Sequence, residues 1–371
     1  MIFTGGRKIM LKKSCGKGGG TKVLAAMSGG VDSSVAALLL KEAGYDITGV
    51  TMSLGISRPD SCPGRFTDEA IEDAKLACEQ MEIPHLVLDC ARLLEEKVID
   101  KFVDEYRLGR TPNPCVDCNR YLKFGLLLDK ALGLGFEKLA TGHYARIENT
   151  DNRWRLLRPL DKSKDQTYFL YTLRVADLPN ILFPLGTLTK EDVRRRAAKS
   201  GLHGAHRIES QDICFVPQGD YSRVFTERKL KSPAGDIVDG RGMVLGRHRG
   251  IIHYTIGQRS GLGISAKFPL YVLRFDIPRN QIVVGNKKDL FSPGLIAGGL
   301  NILQMNFPAE LEAKIRYRKK PARCRVLPEG EKLKVIFEET QESITPGQHV
   351  VFYDGDEVVA GGVIEDVLSD I

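Results

Sequence analysis

Three of the eight cysteines stand in polar surroundings where a thiol could react. Cys115 and Cys118 follow the proline-limited segment 111–114, which enters a region with helical periodicity. Because the positive end of a helix dipole stabilises a thiolate, we expect a lowered pKa at Cys118, which would make it a better nucleophile or metal ligand. Cys214 follows the polar residues 209–212 far downstream and is the candidate partner of Cys118.

The segment Ser28-Gly29-Gly30-Val31-Asp32-Ser33 predicts an anion-binding loop between an apolar strand and a helix. Such a turn exposes unpaired backbone amides at the helix N-terminus, and its glycines let a polyphosphate approach closely. The loop lacks the lysine of a Walker-type G-x-x-x-x-G-K-[ST] loop, and its SGGxDS pattern instead resembles the PP-loop ATPases, which cleave ATP to AMP and pyrophosphate. Asp32 would either help to hold Mg²⁺ or cap the helix.

The elements that position these residues form a βαβ series in the first half of the chain. The predicted strands are 23–27, 47–52, 86–89 and 138–141, and the predicted helices are 34–43, 68–81, 91–108 and 120–132. Such alternation predicts an α/β fold with a doubly wound parallel sheet. The glycine-rich loop would then lie at the carboxyl ends of the strands, where ligands bind in such sheets.

The second half of the chain has a different pattern of residues. Glycine-rich irregular sequence leads into short strands near 270–276 and 281–285, and from about residue 293 the pattern is all β, with a hairpin across Asp354-Gly355-Asp356. We expect a closed C-terminal β-barrel. The predicted division is a flexible basic extension (1–20), a catalytic domain (21–220), a small linking domain (221–288) and a barrel that binds nucleic acid (289–371).

Composition limits the partners and the compartment. The chain of 371 residues has a net charge of +7, and basic residues crowd 194–196 and 316–325, which suits a polyanionic partner. No apolar run is long enough to span a membrane, and the N-terminal residues lack the apolar core of a signal peptide. We therefore expect a cytoplasmic protein whose cysteines serve chemistry, metal binding or core packing rather than structural disulfides.

Several further segments, in this order, give the chain a family resemblance. They are the TPNPCVDCN segment at 111–119, ATGHYAR at 140–146, SKDQTY at 163–168, SQDICF at 210–215, YTIGQR at 254–259, IRYR at 315–318 and PGQ at 346–348. Together with the loop at 28–33 they resemble the MnmA (TrmU) family of tRNA-specific 2-thiouridylases, from about residue 22 to 366.

The resemblance implies an adenine nucleotide alpha hydrolase-like catalytic domain and ATP-dependent replacement of the C2 oxygen of a wobble uridine by sulfur. It implies Cys118 as nucleophile, Cys214 as the persulfide carrier, Mg²⁺ with the ATP, a tRNA substrate, a persulfide or sulfide donor protein, and no membrane or DNA partner. The implied ATP-binding residues are Ala26, Met27, Ser28, Gly29, Gly30, Val31, Asp32, Ser33, Met52 and Gly142. Those implied to contact tRNA are Asn113, Pro114 and Cys115 at the target base, and His143, Lys164, Asp165, Gln166, Arg316, Tyr317 and Gln348 elsewhere.

Alternatives remain for several of these residues. Some family members carry Asp at the position of Cys115, so Cys115, Cys118 and Cys214 could instead hold an iron-sulfur cluster that binds exogenous sulfide. His143 could be a hydrogen-bonded structural histidine, and residues 316–318 a solvated barrel edge. Zinc lacks a fourth ligand. The remaining cysteines outside the N-terminal extension match no motif, and most of them would be small buried hydrophobic residues; they are Cys62, Cys78, Cys90 and Cys324.

Three other functions share part of this pattern. Another PP-loop adenylating enzyme, such as a tRNA-modifying ligase, would need the glycine loop but no cysteine. A non-catalytic RNA-binding protein would hold ATP without releasing AMP and pyrophosphate. A thioredoxin-like oxidoreductase would embed its C-x-x-C in a small βαβ unit, which the Pro-Asn-Pro loop here does not resemble.

Overall fold

A computed structural model describes residues 20–56, 68–202, 213–216 and 220–369. The extension expected at 1–20 lies outside the described residues except for Gly20, and so do Cys15, Cys62 and residues 209–212 next to Cys214. Within the described ranges, no helix combines the length and the hydropathy that crossing a bilayer would require.

Strands occur along the whole described chain and dominate its second half. They are β1 (Lys22–Ala26), β2 (Asp46–Ser53), β3 (His85–Asp89), β4 (Lys138–Ala140), β5 (Arg146–Thr150), β6 (Arg153–Leu157), β7 (Ile181–Leu182), β8 (Gly235–Val238), β9 (Val244–His248), β10 (Tyr271–Asp276), β11 (Gln281–Gly285), β12 (Phe291–Ile302), β13 (Glu310–Lys314), β14 (Ala322–Glu329), β15 (Lys332–Glu342), β16 (His349–Asp354) and β17 (Glu357–Leu368).

The helices are α1 (Val31–Glu42), α2 (Asp68–Gln80), α3 (91–107), α4 (114–133), α5 (Lys190–Lys199) and α6 (Ser222–Glu227). Two of them contain π-helical turns, at Glu95–Ile99 in α3 and at Cys118–Leu127 in α4. Short 3₁₀ turns lie at Lys162–Lys164, Thr167–Phe169, Val175–Asn180, Ile251–His253 and Lys287–Leu290.

Five parallel strands form the N-terminal sheet in the order β3-β2-β1-β4-β7. The four strands predicted from the sequence are confirmed, each within one residue at either end. The fifth strand, β7, was not predicted, because two residues are too few to show an alternating pattern. Helix α1 is rich in alanine and leucine and free of glycine and proline, and it buries Val35 and Leu40 against this sheet.

Six C-terminal strands close into a barrel, as expected. The order β12-β15-β14-β13-β16-β17 is closed by pairing of β12 with β17, and the hairpin between β16 and β17 turns at Gly355, whose φ of +58° suits glycine. The alternative interpretation of residues 316–318 as a barrel-edge strand is wrong: they form the turn after β13. In that turn Arg316 Nη2 donates to the Ser343 carbonyl oxygen, 3.0 Å away.

Between these parts lies the small domain expected from the change of pattern, a mixed four-stranded sheet in the order β10-β11-β8-β9. Its core consists of apolar residues such as Ile237, Val272 and Ile282, all fully buried.

The largest apolar core is shared between the N-terminal sheet domain and the barrel. It joins Phe102 of α3 and Leu122 of α4 to Val351, Tyr353 and Val358 of β16 and β17. The β5–β6 hairpin extends the barrel sheet, since β6 pairs with β17 at Leu157 and Glu357. The two halves therefore pack as one body along this core.

Candidate functional site

The glycine-rich loop lies at the carboxyl end of β1 and leads directly into α1. Its turn is held by serine hydroxyls: Ser33 Oγ donates to the Gly30 carbonyl oxygen at 2.9 Å and accepts from the Ser28 amide at 3.1 Å. Gly29 has a φ of +70°, and a Cβ there would lie 2.7 Å from the carbonyl oxygen of Ala70. Gly30 is the N-cap of α1 without a side-chain cap, so the loop presents backbone amides at a helix N-terminus.

Other residues expected at the nucleotide site lie at the same edge of the sheet. Gly142 follows β4, and a Cβ on it would lie 2.8 Å from the Ser33 amide nitrogen. Met27 and Met52 are buried at the ends of β1 and β2, and Ala26 is partly buried beside them. The ends of these strands and the glycine-rich loop therefore lie side by side at one edge of the sheet.

Asp32 does not cap α1. Its Oδ1 accepts hydrogen bonds from Tyr144 Oη at 2.9 Å and from Lys190 Nζ at 2.7 Å. Lys190 is the first residue of α5, and its side chain is only 9% exposed. Neither Tyr144 nor Lys190 was predicted, and Lys190 offers no local signal because it lies far from every motif.

The first cysteine lies in a loop that the barrel holds. Asn113 is the N-cap of α4, and its Oδ1 accepts from the Cys115 amide at 3.2 Å, with Pro114 at the first helical position. From the barrel, Gln348 Nε2 donates to the Thr111 carbonyl oxygen at 2.9 Å. The cysteine loop is therefore held by the N-cap of α4 and by the barrel.

Cys118 begins the ten-residue π-helical part of α4. Hydrogen bonds in a π-helix run from i to i+5, so residues five apart lie one above the other, whereas in an α-helix of 3.6 residues per turn they point to different sides. Cys118 and Lys123 therefore share a face. Lys123 Nζ in turn lies 3.4 Å from Nε2 of the buried His143.

Cys115, Cys118 and Cys214 lie close enough to influence one another electrostatically. Burial raises the pKa of Cys214 to about 12, and the charges of Cys118 and Cys115 add to this rise. Burial likewise raises the pKa of Cys115 to about 11 and that of Cys118, which the charge of Lys123 partly offsets. The lowered thiol pKa expected at Cys118 is wrong for this conformation, because desolvation outweighs the opposing charge of Lys123.

The three thiols do not form a metal site in this arrangement. Across the described ranges, no group of three or more His, Cys, Asp or Glu side chains is placed to hold a metal ion. All three cysteines are present as thiols, and their exposure is intermediate. The described side chains therefore form no site for a single metal ion.

The residues expected to contact tRNA differ in accessibility. His143 is 9% exposed, with Nδ1 2.7 Å from Thr141 Oγ1, and burial lowers its pKa well below the usual value, so the ring is neutral. Asp165 is buried and accepts from Arg158 Nε at 3.0 Å. Lys164 and Gln166 beside it are partly exposed, and Gln166 Oε1 accepts from the Tyr144 amide at 2.9 Å.

Arg316 and Tyr317 of the barrel lie near the cysteine loop. The ring of Tyr317 packs on Phe169, with ring centroids 4.4 Å apart. Burial raises the pKa of Tyr317, and the charges of Asp165 and, to a smaller extent, Cys115 add to the rise. The structure therefore brings barrel residues and the cysteine loop to one place, although they are far apart in sequence.

Three family models match successive parts of the chain: a tRNA methyl transferase HUP domain at 21–218, a tRNA methyl transferase PRC-barrel domain at 223–286 and an Aminomethyltransferase beta-barrel domain at 296–364. The chain is similar to the tRNA-specific 2-thiouridylase MnmA 1 of Syntrophus aciditrophicus (strain SB), with 56% identity over 94% of this chain and 93% of that protein.

Two further relatives agree with these matches. The chain is 49% identical to the tRNA-specific 2-thiouridylase MnmA of Geotalea uraniireducens (strain Rf4), over 94% of this chain and 96% of the relative. It is 48% identical to the protein of that name from Carboxydothermus hydrogenoformans (strain ATCC BAA-161 / DSM 6008 / Z-2901), over 94% of this chain and 98% of the relative.

Proposed function

The chain belongs to the MnmA family of tRNA-specific 2-thiouridylases and is a tRNA sulfurtransferase that uses ATP, and we propose here which of its residues perform each step. Two groups of residues share the reaction. The loop at 28–33 binds ATP for activation of the uridine, and the cysteines at 115, 118 and 214 supply and release the sulfur. The observation that supports this assignment is the electrostatic coupling of Cys214 to Cys118 and Cys115.

Activation comes first because the oxygen on C2 of uridine is a poor leaving group. The C2 oxygen attacks the α-phosphorus of ATP, the bond to the β-phosphate oxygen breaks, and pyrophosphate leaves with the electron pair. Amides of the loop at Gly29 and Gly30 bind the phosphates, and Gly142 leaves room for the nucleotide. The product is an adenylated base whose C2–O bond can now break with AMP as leaving group.

Sulfur then enters from Cys214. The terminal sulfur of a Cys214 persulfide forms a bond to C2, AMP departs with the electron pair of the C2–O bond, and the base is joined to Cys214 through a disulfide. The Cys118 thiolate attacks Sγ of Cys214, and the electron pair of the broken S–S bond goes to the sulfur on C2. The products are 2-thiouridine and a Cys118–Cys214 disulfide, which two electrons from an external dithiol reduce.

Mg²⁺ fits the residues at the loop. In proteins this ion commonly takes one or two carboxylates together with substrate phosphate oxygens and water, and the carboxylate of Asp32 at the first turn of α1 is of that kind. When bound, the ion would neutralise charge on the triphosphate. Tyr144 and Lys190 would keep the Asp32 carboxylate oriented toward the loop.

We route sulfur through a persulfide on Cys214 and assign Cys115 to the wall around the target base, together with Asn113 and Pro114. An iron-sulfur cluster on the three cysteines is the second candidate, which iron and sulfide analysis tests. The packing of Tyr317 on Phe169 and the hydrogen bonds from Gln348 to the cysteine loop support the assignment of Cys115, because an aromatic surface on the barrel side is one on which an unstacked base could lie.

The remaining parts of the proposal concern partners and location. tRNA would contact Lys164 and Gln166 on the catalytic side, and Arg316, Tyr317 and Gln348 on the barrel side, whereas the buried His143 and Asp165 would first have to become accessible. A persulfide donor protein would load Cys214: the Cys214 thiolate takes the donor's outer sulfur and the donor's cysteine thiolate leaves. The reaction would take place in the cytoplasm. We assign 21–220 to catalysis, 221–288 to the linking domain and 289–371 to tRNA binding.

Nucleoside mass spectrometry tests this function. Unmodified tRNA is incubated anaerobically with the protein, Mg-ATP and sulfide, or with a persulfide donor, and ATP is omitted in the control. We expect 2-thiouridine only with ATP. AMP and pyrophosphate released without any 2-thiouridine under either sulfur source would contradict sulfur transfer and favour another adenylated substrate.

A further inference from the structure

We propose that Lys190 binds the pyrophosphate part of ATP and of the product pyrophosphate, and so takes the place of the lysine that the loop at 28–33 lacks. This inference rests on the proposed nucleotide site and adds a residue to it. Lys190 belongs to none of the motifs that define the resemblance, and it lies more than a hundred residues after the loop in sequence. Its ligand class is a di- or triphosphate rather than a base or sugar.

The position of its ammonium group carries the proposal. Lys190 Nζ lies 2.7 Å from Oδ1 of Asp32, which is the second residue of α1. The amides that would bind phosphate belong to this same helix start and to the residues just before it. Lys190 Nζ therefore ends beside the phosphate-binding loop, where a Walker-type lysine ends when it reaches from its own loop.

The backbone that carries Lys190 is held firmly. Its amide donates to Asp161 Oδ2 at 3.1 Å, and α5 begins with a capping box formed by Thr189 and Asp192. Val193 and Ala197 of α5 are fully buried in the same apolar cluster as α1. The lysine is thus presented from a fixed helix, which lowers the entropy lost when its side chain orders on a ligand.

The charges around Lys190 favour a polyanion. Burial lowers the pKa of the Lys190 ammonium, while its hydrogen bond with Asp32 raises it. The charges of Lys164 and Arg194 lower it further, so both cations lie near Lys190. Asp32 and Asp161 contribute one negative charge each beside these three cations in the free protein, and a diphosphate would add more negative charge at the same place.

An exchange of partners follows when ATP binds. Lys190 moves its hydrogen bond from Asp32 to a phosphate oxygen, and Asp32 becomes available to a cation that accompanies the triphosphate. During adenylation the bond between the α-phosphorus and the bridging oxygen breaks, and the electron pair passes to pyrophosphate. Lys190 stabilises the charge that develops there, so its effect belongs to binding of phosphate and to the adenylation rate, not to sulfur transfer.

The test compares Lys190→Met with Lys199→Met, which removes an exposed lysine at the far end of the same helix. Isothermal titration with ATP, AMP and inorganic pyrophosphate, each at one fixed Mg²⁺ concentration, gives the affinities. For Lys190→Met we expect a loss of roughly ten- to a hundredfold for ATP and pyrophosphate, the effect of one charge-assisted hydrogen bond. AMP should bind within about twofold of the wild type, and Lys199→Met should match the wild type throughout.

Two further variants keep the test decisive if Lys190→Met folds poorly. Lys190→Arg retains the charge and should keep most of the pyrophosphate affinity, and Lys190→Gln retains a hydrogen-bond donor near Asp32 without the charge and should lose that affinity as Lys190→Met does. The proposal would be overturned if a folded Lys190→Met bound ATP and pyrophosphate as tightly as the wild type and differed only in a lower melting temperature. The lysine would then be a structural link between α1 and α5. Failure of the wild type to bind ATP would instead contradict the proposed nucleotide site.

Discussion

Gln348 of the barrel donates a hydrogen bond from Nε2 to the carbonyl oxygen of Thr111, 2.9 Å away in the cysteine loop. The Thr111 amide in return donates to the Pro346 carbonyl oxygen at 2.9 Å. A Cβ on Gly347 would lie 2.8 Å from the Thr111 amide nitrogen, so the two backbones touch. A tRNA that displaces this barrel turn would therefore also move the loop that carries Cys115.

We predict that Gln348→Leu lowers the thiolation rate by roughly tenfold, because about 1–3 kcal/mol of loop stabilisation is lost when the carbonyl oxygens lose their donor. ATP affinity should stay unchanged, since the nucleotide loop is elsewhere. Single-turnover thiolation and hydrogen exchange of residues 110–116 provide the measurements. Gln341→Leu is the control, because the Gln341 amide bonds to Glu339 in its own strand. If Gln348→Leu lost tRNA affinity while hydrogen exchange of residues 110–116 stayed unchanged, Gln348 would be a tRNA contact alone.

Cys118→Ser should stop turnover after sulfur has reached the base. Without the Cys118 thiolate, nothing attacks Sγ of Cys214, and the base remains joined to Cys214 through a disulfide. We expect AMP release of about one equivalent and a protein–tRNA adduct on denaturing gels that dithiothreitol removes. Full multiple-turnover activity of this variant would rule out the assigned role.

Cys214→Ser provides the matched control for the adduct. It removes the sulfur carrier, so neither the adduct nor 2-thiouridine should form when a persulfide donor supplies the sulfur. An adduct in this variant would show that sulfur reaches the base from another residue.

Anaerobic reconstitution with iron and sulfide measures whether the three thiols rearrange to hold a cluster. Under the persulfide scheme the cysteines need no iron, so we expect less than stoichiometric iron and unchanged activity with a persulfide donor. About four iron atoms per chain, lost in Cys115→Asp, would contradict this expectation and favour the cluster scheme.

His349 makes the protein sensitive to acid. Burial, with the charges of Lys101 and Arg120, lowers its pKa to about 3, while in the unfolded chain it titrates near about 6.5. Between about pH 3 and about pH 6.5 His349 is therefore protonated in the unfolded state and neutral in the folded state. The stability present above about pH 6.5 is lost as the pH falls, by up to about 1.4 kcal/mol per pH unit. His349→Gln should flatten this part of the slope in urea unfolding between about pH 6.5 and about pH 4.

Tyr171→Phe separates the charge effect from the hydrogen bond. The Tyr171 hydroxyl lies 2.7 Å from His349 Nδ1, so its removal should cost about 1 kcal/mol at every pH and leave the slope intact. Parallel slopes for the wild type and His349→Gln would show that other groups govern the acid response.

Local pattern predicted the elements of this protein well. The glycine pair followed by α1, the four longer strands of the parallel sheet and the Asp354-Gly355 hairpin each carry their signal within a few residues. Strand β7 and the turn at 316–318 escaped prediction because their geometry is set by distant contacts. Arg316 turns inward and bonds to Ser343, and no neighbouring residue in the sequence indicates this contact.

The candidate site was predictable only in part for the same reason. The loop at 28–33 and the cysteines were recognisable by residue type, whereas Lys190 reaches Asp32 through the packing of α5 on α1. The pKa of Cys118 was misjudged because helix position can be read from sequence and desolvation cannot. Burial is a property of the assembled core, and that core includes strands from the far end of the chain.

The core shared by α3, α4 and the last barrel strands has a consequence during synthesis. The N-terminal sheet domain leaves the ribosome first, but Val351, Tyr353 and Val358 belong to its largest apolar core and are among the last residues to emerge. A nascent chain halted before residue 346 exposes Phe102 and its neighbours and lacks Gln348, so chaperones and proteases can recognise it. Translation must therefore pass β16 before the cysteine loop is held in place and the shared core is closed.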